Sequence, residues 1–291
     1  MEIEARRHVP PRKKLTGGTI LVYALLVVGA IVCIVPFLYM LATSLKTVGE
    51  TITRVDPLPW RADFWPAVPQ WKNYLSSWRD ANFSLYFRNS VLTALITVAG
   101  LIVTSSLAAY AFAKIRFAGS RVMFAIFVAT LIIPDSVYLI PNFITITKFG
   151  WYDTLAGLTV PFMASAFFIF LLRQFFAQLP NELLESARMD GAGHIRSFAS
   201  IVMPLSGAPL FTVAFLAFIG SWNSLQWPLV ATRTERWRPL TVGLTTFMTE
   251  AGPQNQLRMA GAMIAVLPVV ILFFFAQKQF TEAIARSGIK G

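Results

Sequence analysis

The chain has 291 residues and a formal net charge of +11; 56% of its residues are hydrophobic and only 13% are charged. Soluble globular chains carry about a quarter charged residues, so this balance, with 25 Phe and a mean hydropathy of +0.61, excludes a disordered chain, a disulfide scaffold and most soluble enzymes. The basic excess points to orientation in a bilayer, where Lys and Arg mark one face, and not to a nucleic-acid partner.

Residues 1–18 form a basic tail with Arg6, Arg7, Arg12, Lys13 and Lys14. A membrane-crossing helix needs about 20 apolar residues, and six stretches qualify: 19–45, 87–113, 122–147, 155–176, 207–230 and 259–277. Their apolar runs are continuous, without the alternation of a barrel wall. The expectation is an all-α integral membrane protein with six transmembrane helices. The first run is longer than the roughly 15-residue limit of a signal-peptide core, so it reads as a retained anchor. Pro36, Pro134, Pro141, Pro161 and Pro268 fall inside spans and are expected to kink them, because neighbouring helices can satisfy the freed carbonyls. The basic tail and the short loop with Lys114, Arg116 and Arg121 predict a cytoplasmic N-terminus. Six spans return the C-terminal tail, residues 281–291, to the same side. Residues 19–84 then hold the first helix and an outer loop, and residues 85–280 the transmembrane core. The outer face receives 46–86, a turn near Gly150, and 231–258. Trp60, Trp65, Trp71, Trp78, Trp151, Trp222, Trp227 and Trp237 all fall on that side. They either cap the bilayer interface or form a platform for an external partner.

Between the fourth and fifth spans, residues 180–206 form a polar interruption. Pro180 and Asn181 predict a break and a helix N-cap, with Glu182 favouring the helix dipole in the first turn. Leu183, Leu184, Ala187 and Met189 supply apolar surface at helical spacing. Asp190-Gly191 ends the helix, since Gly takes the left-handed cap without strain. A second short helix follows through Phe198 and Ile201 to Pro204. Such a hairpin is either a re-entrant connector or an amphipathic helix built to enter a partner's groove.

Asp135 is the one acidic residue deep inside a predicted span. It either lines a path through the membrane, pairs with Arg, or caps the helix broken at Pro134. Trp222, Asn223, Gln226 and Trp227 form a second group. Asn223 and Gln226, three apart, share one face of a helix. Amides and aromatic faces suit sugar hydroxyls and C–H surfaces, or else ordinary interhelical hydrogen bonding. His8 and His194 lack the companions of a metal site or a nucleophile and read as surface residues. Cys33 reads as a small core residue. No Gly-x-x-x-x-Gly-Lys-Ser/Thr phosphate loop exists, and Gly17-Gly18 stands too isolated to serve as one.

The stretch Glu185-Ser-Ala-Arg-Met-Asp-Gly-Ala-Gly, followed by Phe198, Ile201, Pro204 and Pro209, resembles the "EAA" loop of ABC importer permeases. That pattern is Glu-Ala-Ala, two residues, Asp-Gly-Ala, then spaced Phe, Ile and Leu-Pro; Ser186 replaces the first Ala and Met203 the Leu. Arg88-Asn89-Ser90, Ala109-Tyr110-Ala111-Phe112, Ile133-Pro134, Trp222-Asn223 and the terminal Gly288-Ile289-Lys290-Gly291 resemble the carbohydrate-importer branch, best known from the inner permease subunit of maltose importers. The resemblance extends from about residue 85 to the end. It implies the transmembrane domain of a type I importer: a non-catalytic subunit that moves a sugar or oligosaccharide across a bacterial or archaeal cell membrane. Import of glycerol 3-phosphate or a related polar solute is the alternative. An ion-coupled secondary transporter is a further one, which would require several buried charges. The implied partners are ABC ATPase subunits, a second homologous permease, an extracytoplasmic solute-binding protein and membrane lipid, with no nucleic acid. ATP and Mg would bind the ATPases, leaving this chain without cofactor or metal. The resemblance implies that this segment is the coupling helix: Glu182 would open it, Glu185 would pair with the ATPase surface, Leu184, Ala187 and Met189 would fill the ATPase cleft, and Asp190 and Gly191 would set the turn. Asp135, Trp222, Asn223 and Gln226 remain the candidates for the translocation path.

Overall fold

The computed structural model describes residues 17–53, 64–80, 82–250 and 254–287. The basic residues at 6–14, His8, Trp60 and the Gly288-Ile289-Lys290-Gly291 motif lie outside the described residues. Every regular element among the described residues is a helix.

Helix α1 (Gly17–Ser44) runs unbroken through Pro36 and is followed by the short α2 (Val48–Thr53) and α3 (Lys72–Asp80). Helix α4 (Phe83–Lys114) has 32 residues and no proline; at 1.5 Å per residue it is about 48 Å long. The third apolar run folds as α5 (Ser120–Ala129) and α6 (Leu139–Lys148), joined by 3₁₀ turns, and the two halves meet at 96°. Pro134 therefore breaks its span where a kink was expected. Ile133 precedes that proline and is driven into extended backbone, φ −81° and ψ 120°. Pro141 causes no break, because it sits in the first turn of α6, where amides have no intrahelical partner anyway.

The fourth run comprises α7 (Leu155–Thr159), a 3₁₀ turn holding Pro161, and α8 (Ala166–Gln178), with a 46° bend. Then come α9 (Asn181–Met189), α10 (His194–Ser197), a π-helical turn over Phe198–Val202, α11 (Met203–Leu205) and α12 (Gly207–Trp222). The segment ending at Leu205 meets α12 at 81°. The predicted fifth span stops at Trp222 and restarts as α13 (Gln226–Ala231). Pro228 has no amide to reach the Ser224 carbonyl, and the Thr241 hydroxyl donates to that oxygen at 2.6 Å instead. Helices α14 (Leu240–Glu250) and α15 (Asn255–Ser287) complete the chain, the latter continuous through Pro268. Among the described residues, three helices are long and apolar enough to cross a membrane, or up to six spans if each bent pair counts as one.

Helix α4 is the spine, packed against α8, α12 and α14. One core lies toward its C-terminal end, where Leu101, Ala109 and Tyr110 meet Leu172 and Phe176 of α8, Leu184 of α9, and Val213 and Ala217 of α12. At its N-terminal end Phe83 and Tyr86 pack with Trp222, Leu240, Phe247 and Leu257. Helix α1 stands outside both cores. It touches α15 and buries only Ala42, Thr43 and Ser44. Cys33, expected in a core, is exposed for that reason.

Candidate functional site

The hairpin between α8 and α12 is built as the sequence predicts, with two differences. Its helix α9 starts at Asn181, but the N-cap residue is Pro180, and no side chain caps it. The Asn181 side chain is engaged elsewhere: its Oδ1 accepts a hydrogen bond from Lys114 Nζ at 2.8 Å, and the same ammonium donates to the Leu179 carbonyl at 2.6 Å. At the other end Gly191 adopts φ +81°. Its amide donates to the Arg188 carbonyl at 3.0 Å, and that of Ala192 donates to the Ala187 carbonyl at 2.8 Å. This pair of bonds is the glycine-terminated cap that satisfies the last carbonyls of a helix. The following turn widens at Phe198–Val202, where Met203 N–H reaches back to the Phe198 carbonyl, one residue further than in an α-helix, just before Pro204.

The faces of α9 divide differently from the expectation. Leu184 is only 5% exposed and packs into this chain's own core beneath α4 and α8. It is the anchor of the helix and is not presented to a partner. Ala187 is half-buried, and Glu182, Glu185 and Asp190 are exposed. Met189 is 89% exposed and Ile195, on the second arm, 83%; Leu183, in the first turn of α9, is exposed as well. The hairpin thus presents an apolar tip edged by carboxylates.

Asp135 lies at the break of the third span, as the first residue of a 3₁₀ turn, and is exposed. The N-cap position of that turn is Pro134, with no side-chain cap hydrogen bond, so Asp135 follows the cap and does not supply it. Trp222 is 4% exposed, its ring between Phe87 and Phe218, and its Nε1 donates to the Ala265 carbonyl at 3.1 Å. Trp227 is likewise buried and donates to the Gly157 carbonyl at 3.1 Å. Both indoles hold the fold together and offer no free ring face. Asn223 and Gln226 are exposed, but the helix is interrupted between them, so they do not lie on one continuous helical face. Of the other tryptophans described, Trp65 and Trp71 are exposed and Trp78, Trp151 and Trp237 half-buried.

Residues 100–286 match the family described as the binding-protein-dependent transport system inner membrane component. The chain belongs to that family. It is 32% identical to the sn-glycerol-3-phosphate transport system permease protein UgpE of Yersinia enterocolitica, over 93% of this chain and 97% of the relative. It is 29% identical to the diacetylchitobiose uptake system permease protein NgcG of Streptomyces coelicolor, over 91% and 86% of the two. Its fold superimposes, with a TM-score of 0.79 at 24% identity, on a chain from the crystal structure of a bacterial ABC transporter involved in the import of the acidic polysaccharide alginate, covering 92% of this chain and 98% of that one.

In this permease several residues that tie the site together had no structural role assigned from sequence. Lys114, read from sequence only as an orientation signal, fastens the hairpin to α4. At the opposite end of α4, Asn89 is fully buried, and its amide donates to the Arg236 and Arg238 carbonyls at 2.9 and 3.0 Å. Ser90 Oγ accepts from the Leu240 amide at 2.7 Å. Asp153 holds the same loop: its carboxylate accepts from the Arg233 amide at 3.0 Å, the Thr234 amide at 3.2 Å and the Thr234 hydroxyl at 2.7 Å. Burial alone would raise the Asp153 pKa. The Thr234 hydroxyl, the two amides and the Arg238 charge together outweigh that and hold it below the usual carboxylate range. A buried Asn next to a Ser at the start of a long apolar helix was the available signal, since such amides are rarely buried without carbonyl partners.

Proposed function

We propose that this permease forms half of a pore that carries a sugar or oligosaccharide into the cytoplasm, completed by a second, homologous permease. Separate ATPase subunits that bind ATP and Mg drive it, and an extracytoplasmic solute-binding protein delivers its cargo. The observation that carries this reading is the hairpin: a short helix closed by a glycine C-cap, whose inner face is sunk in the permease core and whose tip exposes Met189 and Ile195. A helix clasped by a moving partner transmits a rigid-body rotation, which flips a pore between two openings. Glu182 and Glu185 would meet cationic groups of the ATPase, and Met189 would fill its cleft together with Leu183 and Ile195. Ala187 would lie at the rim of that contact, while Asp190 and Gly191 keep the turn in shape. With the hairpin in the cytoplasm, both termini are cytoplasmic and the loop at 232–239 faces outward.

Within the membrane, the exposed Asp135, Asn223 and Gln226 are the groups we assign to the translocation path; irregular backbone at membrane depth belongs where it lines a cavity or is covered by protein. The oligosaccharide reading rests on relatives such as the diacetylchitobiose permease. The identity to the glycerol-3-phosphate permease keeps a small phosphorylated polyol as the second reading. The test is to purify the tagged chain from native membranes under mild detergent and identify its companions by mass spectrometry. An ATPase, a second permease and a binding protein are expected, and the binding protein is then titrated with diacetylchitobiose and glycerol 3-phosphate. Uptake that persists in ATP-depleted membranes and follows only an ion gradient would overturn the proposal.

A further inference from the structure

Five of the six spans carry a proline or a bend among the described residues. Helices α1 and α15 contain Pro36 and Pro268, and the three bent pairs turn by 96°, 46° and 81°. Helix α4 alone has neither. It is also the helix whose two ends are fastened, by side chains, to the main chain of the segments beyond them. At its last residue Lys114 Nζ grips the Leu179 carbonyl and Asn181 Oδ1, where the hairpin begins. One turn earlier on the same face, the Tyr110 ring lies 5.3 Å from Phe198 on the hairpin's second arm. Near its first turn Asn89 grips the Arg236 and Arg238 carbonyls, and Ser90 the Leu240 amide.

We infer that α4 is a stiff rod that passes movement of the hairpin to the loop at 232–240 on the opposite membrane face, with Lys114 and Asn89 as its two positioning residues. Bonds to main-chain carbonyls fix position whatever side chains surround them, and an unbroken helix without proline lacks the commonest cause of a sharp kink. Hydrogen bonds from a charged donor such as Lys114 are roughly twice as strong as neutral ones, which suits the end that receives the load. The inference rests on the hairpin being the ATPase contact, and it adds that the outer loop learns the nucleotide state through this one helix. The loop at 232–240 is then the part of the outer surface whose shape reports ATP closure.

The experiment uses the assembled complex purified through a tag on this chain, with Cys33→Ala removing the native thiol and Arg236→Cys placing a reporter in the loop. Labelling by a polar maleimide is timed with and without ATP and vanadate, alongside ATP hydrolysis. Trapping is expected to change the labelling rate in the parent. Lys114→Met should shrink that change by roughly tenfold or more, the weight of a hydrogen bond to a charged group, with hydrolysis continuing. Lys114→Arg should retain most of it, and Asn89→Ala should lose it from the other end. A simple loss of packing would instead lower assembly or hydrolysis. If Lys114→Met fails to assemble, the contrast between Lys114→Arg and Asn89→Ala decides. Variants that respond as fully as the parent would overturn the rod. So would a parent that does not respond although Glu185→Cys crosslinks to the ATPase. Failure of that crosslink would instead remove the coupling reading on which the rod stands.

Discussion

Asp153 adopts φ +58°, a left-handed conformation that Asp and Asn tolerate better than other side-chain-bearing residues. Asp153→Asn therefore keeps the backbone while removing the charge that draws in the Arg233 and Thr234 amides. Exchange of those two amides should rise on the order of tenfold at neutral pH, the loss of about one charge-assisted bond, with amides of the α4 core unchanged. In the parent protein the carboxyl pKa is lowered by folding, so its contribution is complete above the unfolded value of about 3.9 and is lost only as pH falls through the lower, folded one. Loosening of this loop should thus begin in the acid range and not between pH 7 and 5. Two glycines make a second contrast. A Cβ on Gly157 would stand 2.3 Å from the Trp151 carbonyl oxygen, a main-chain atom that cannot swing aside, and the Gly157 carbonyl also receives the Trp227 indole. Gly220, inside α12, has nothing within 4 Å of the same position. In thermal unfolding of the detergent-solubilised complex, Gly157→Ala should destabilise by about 1–3 kcal/mol through overpacking, whereas Gly220→Ala should gain up to about 1 kcal/mol of helix propensity.

In the hairpin helix, Leu184 and Met189 sit five residues apart and look interchangeable in sequence, yet one is sunk in the core and the other stands in the open. Leu184→Ala should cost about 2–5 kcal/mol of stability and free α9 from α4 and α8. Met189→Ala should leave unfolding unchanged and reduce recovery of the ATPase with the tagged chain. Gly191→Pro should abolish transport while the chain still inserts in the membrane, because proline cannot adopt φ +81° and removes the amide bonded to Arg188. Normal uptake by that variant would count against the hairpin's role. The six apolar runs and the hairpin were legible because hydropathy adds over about 20 residues and because Asp190-Gly191 is a local cap signal. The faces of α9 were not legible, since the core and an external cleft both select apolar residues. Asn181 shows the same limit. Its type favours an N-cap, but its partner Lys114 lies 67 positions away in the chain. Whether a proline kinks or breaks a span also depends on distant groups: the Ser224 carbonyl finds Thr241, and the helix restarts two residues later.

At the scale of the whole molecule, two stretches among the described residues are only sparsely covered by the rest of the chain. Helix α1 is one; it is unbroken, apolar and, apart from its contact with α15, suited to lipid. The break in the third span is different. Helix α5 buries no residue and α6 only Ile146, Ile132 at the break is 84% exposed, and the backbone over 133–138 is irregular. Lipid hydrocarbon offers no partner to the amides and carbonyls of such a turn, so it must face protein or water. The two proposals for this region, a second permease and a water-filled path at Asp135, each predict a different reactivity at neighbouring positions. In a Cys33→Ala background, Ile132→Cys should crosslink in native membranes to a chain other than this one. Asp135→Cys should react with a membrane-impermeant charged maleimide, and the reaction should slow when transported solute is present. If both cysteines react only with lipid-soluble reagents and neither crosslinks, the break faces hydrocarbon. The pore would then have to be sought along α12 and α13, where Asn223 and Gln226 are exposed at the second interruption. If Ile132→Cys crosslinks while Asp135→Cys stays inert, the break is a subunit seam and Asp135 is buried in it. Asp135→Asn should then alter assembly and leave solute uptake per assembled complex unchanged.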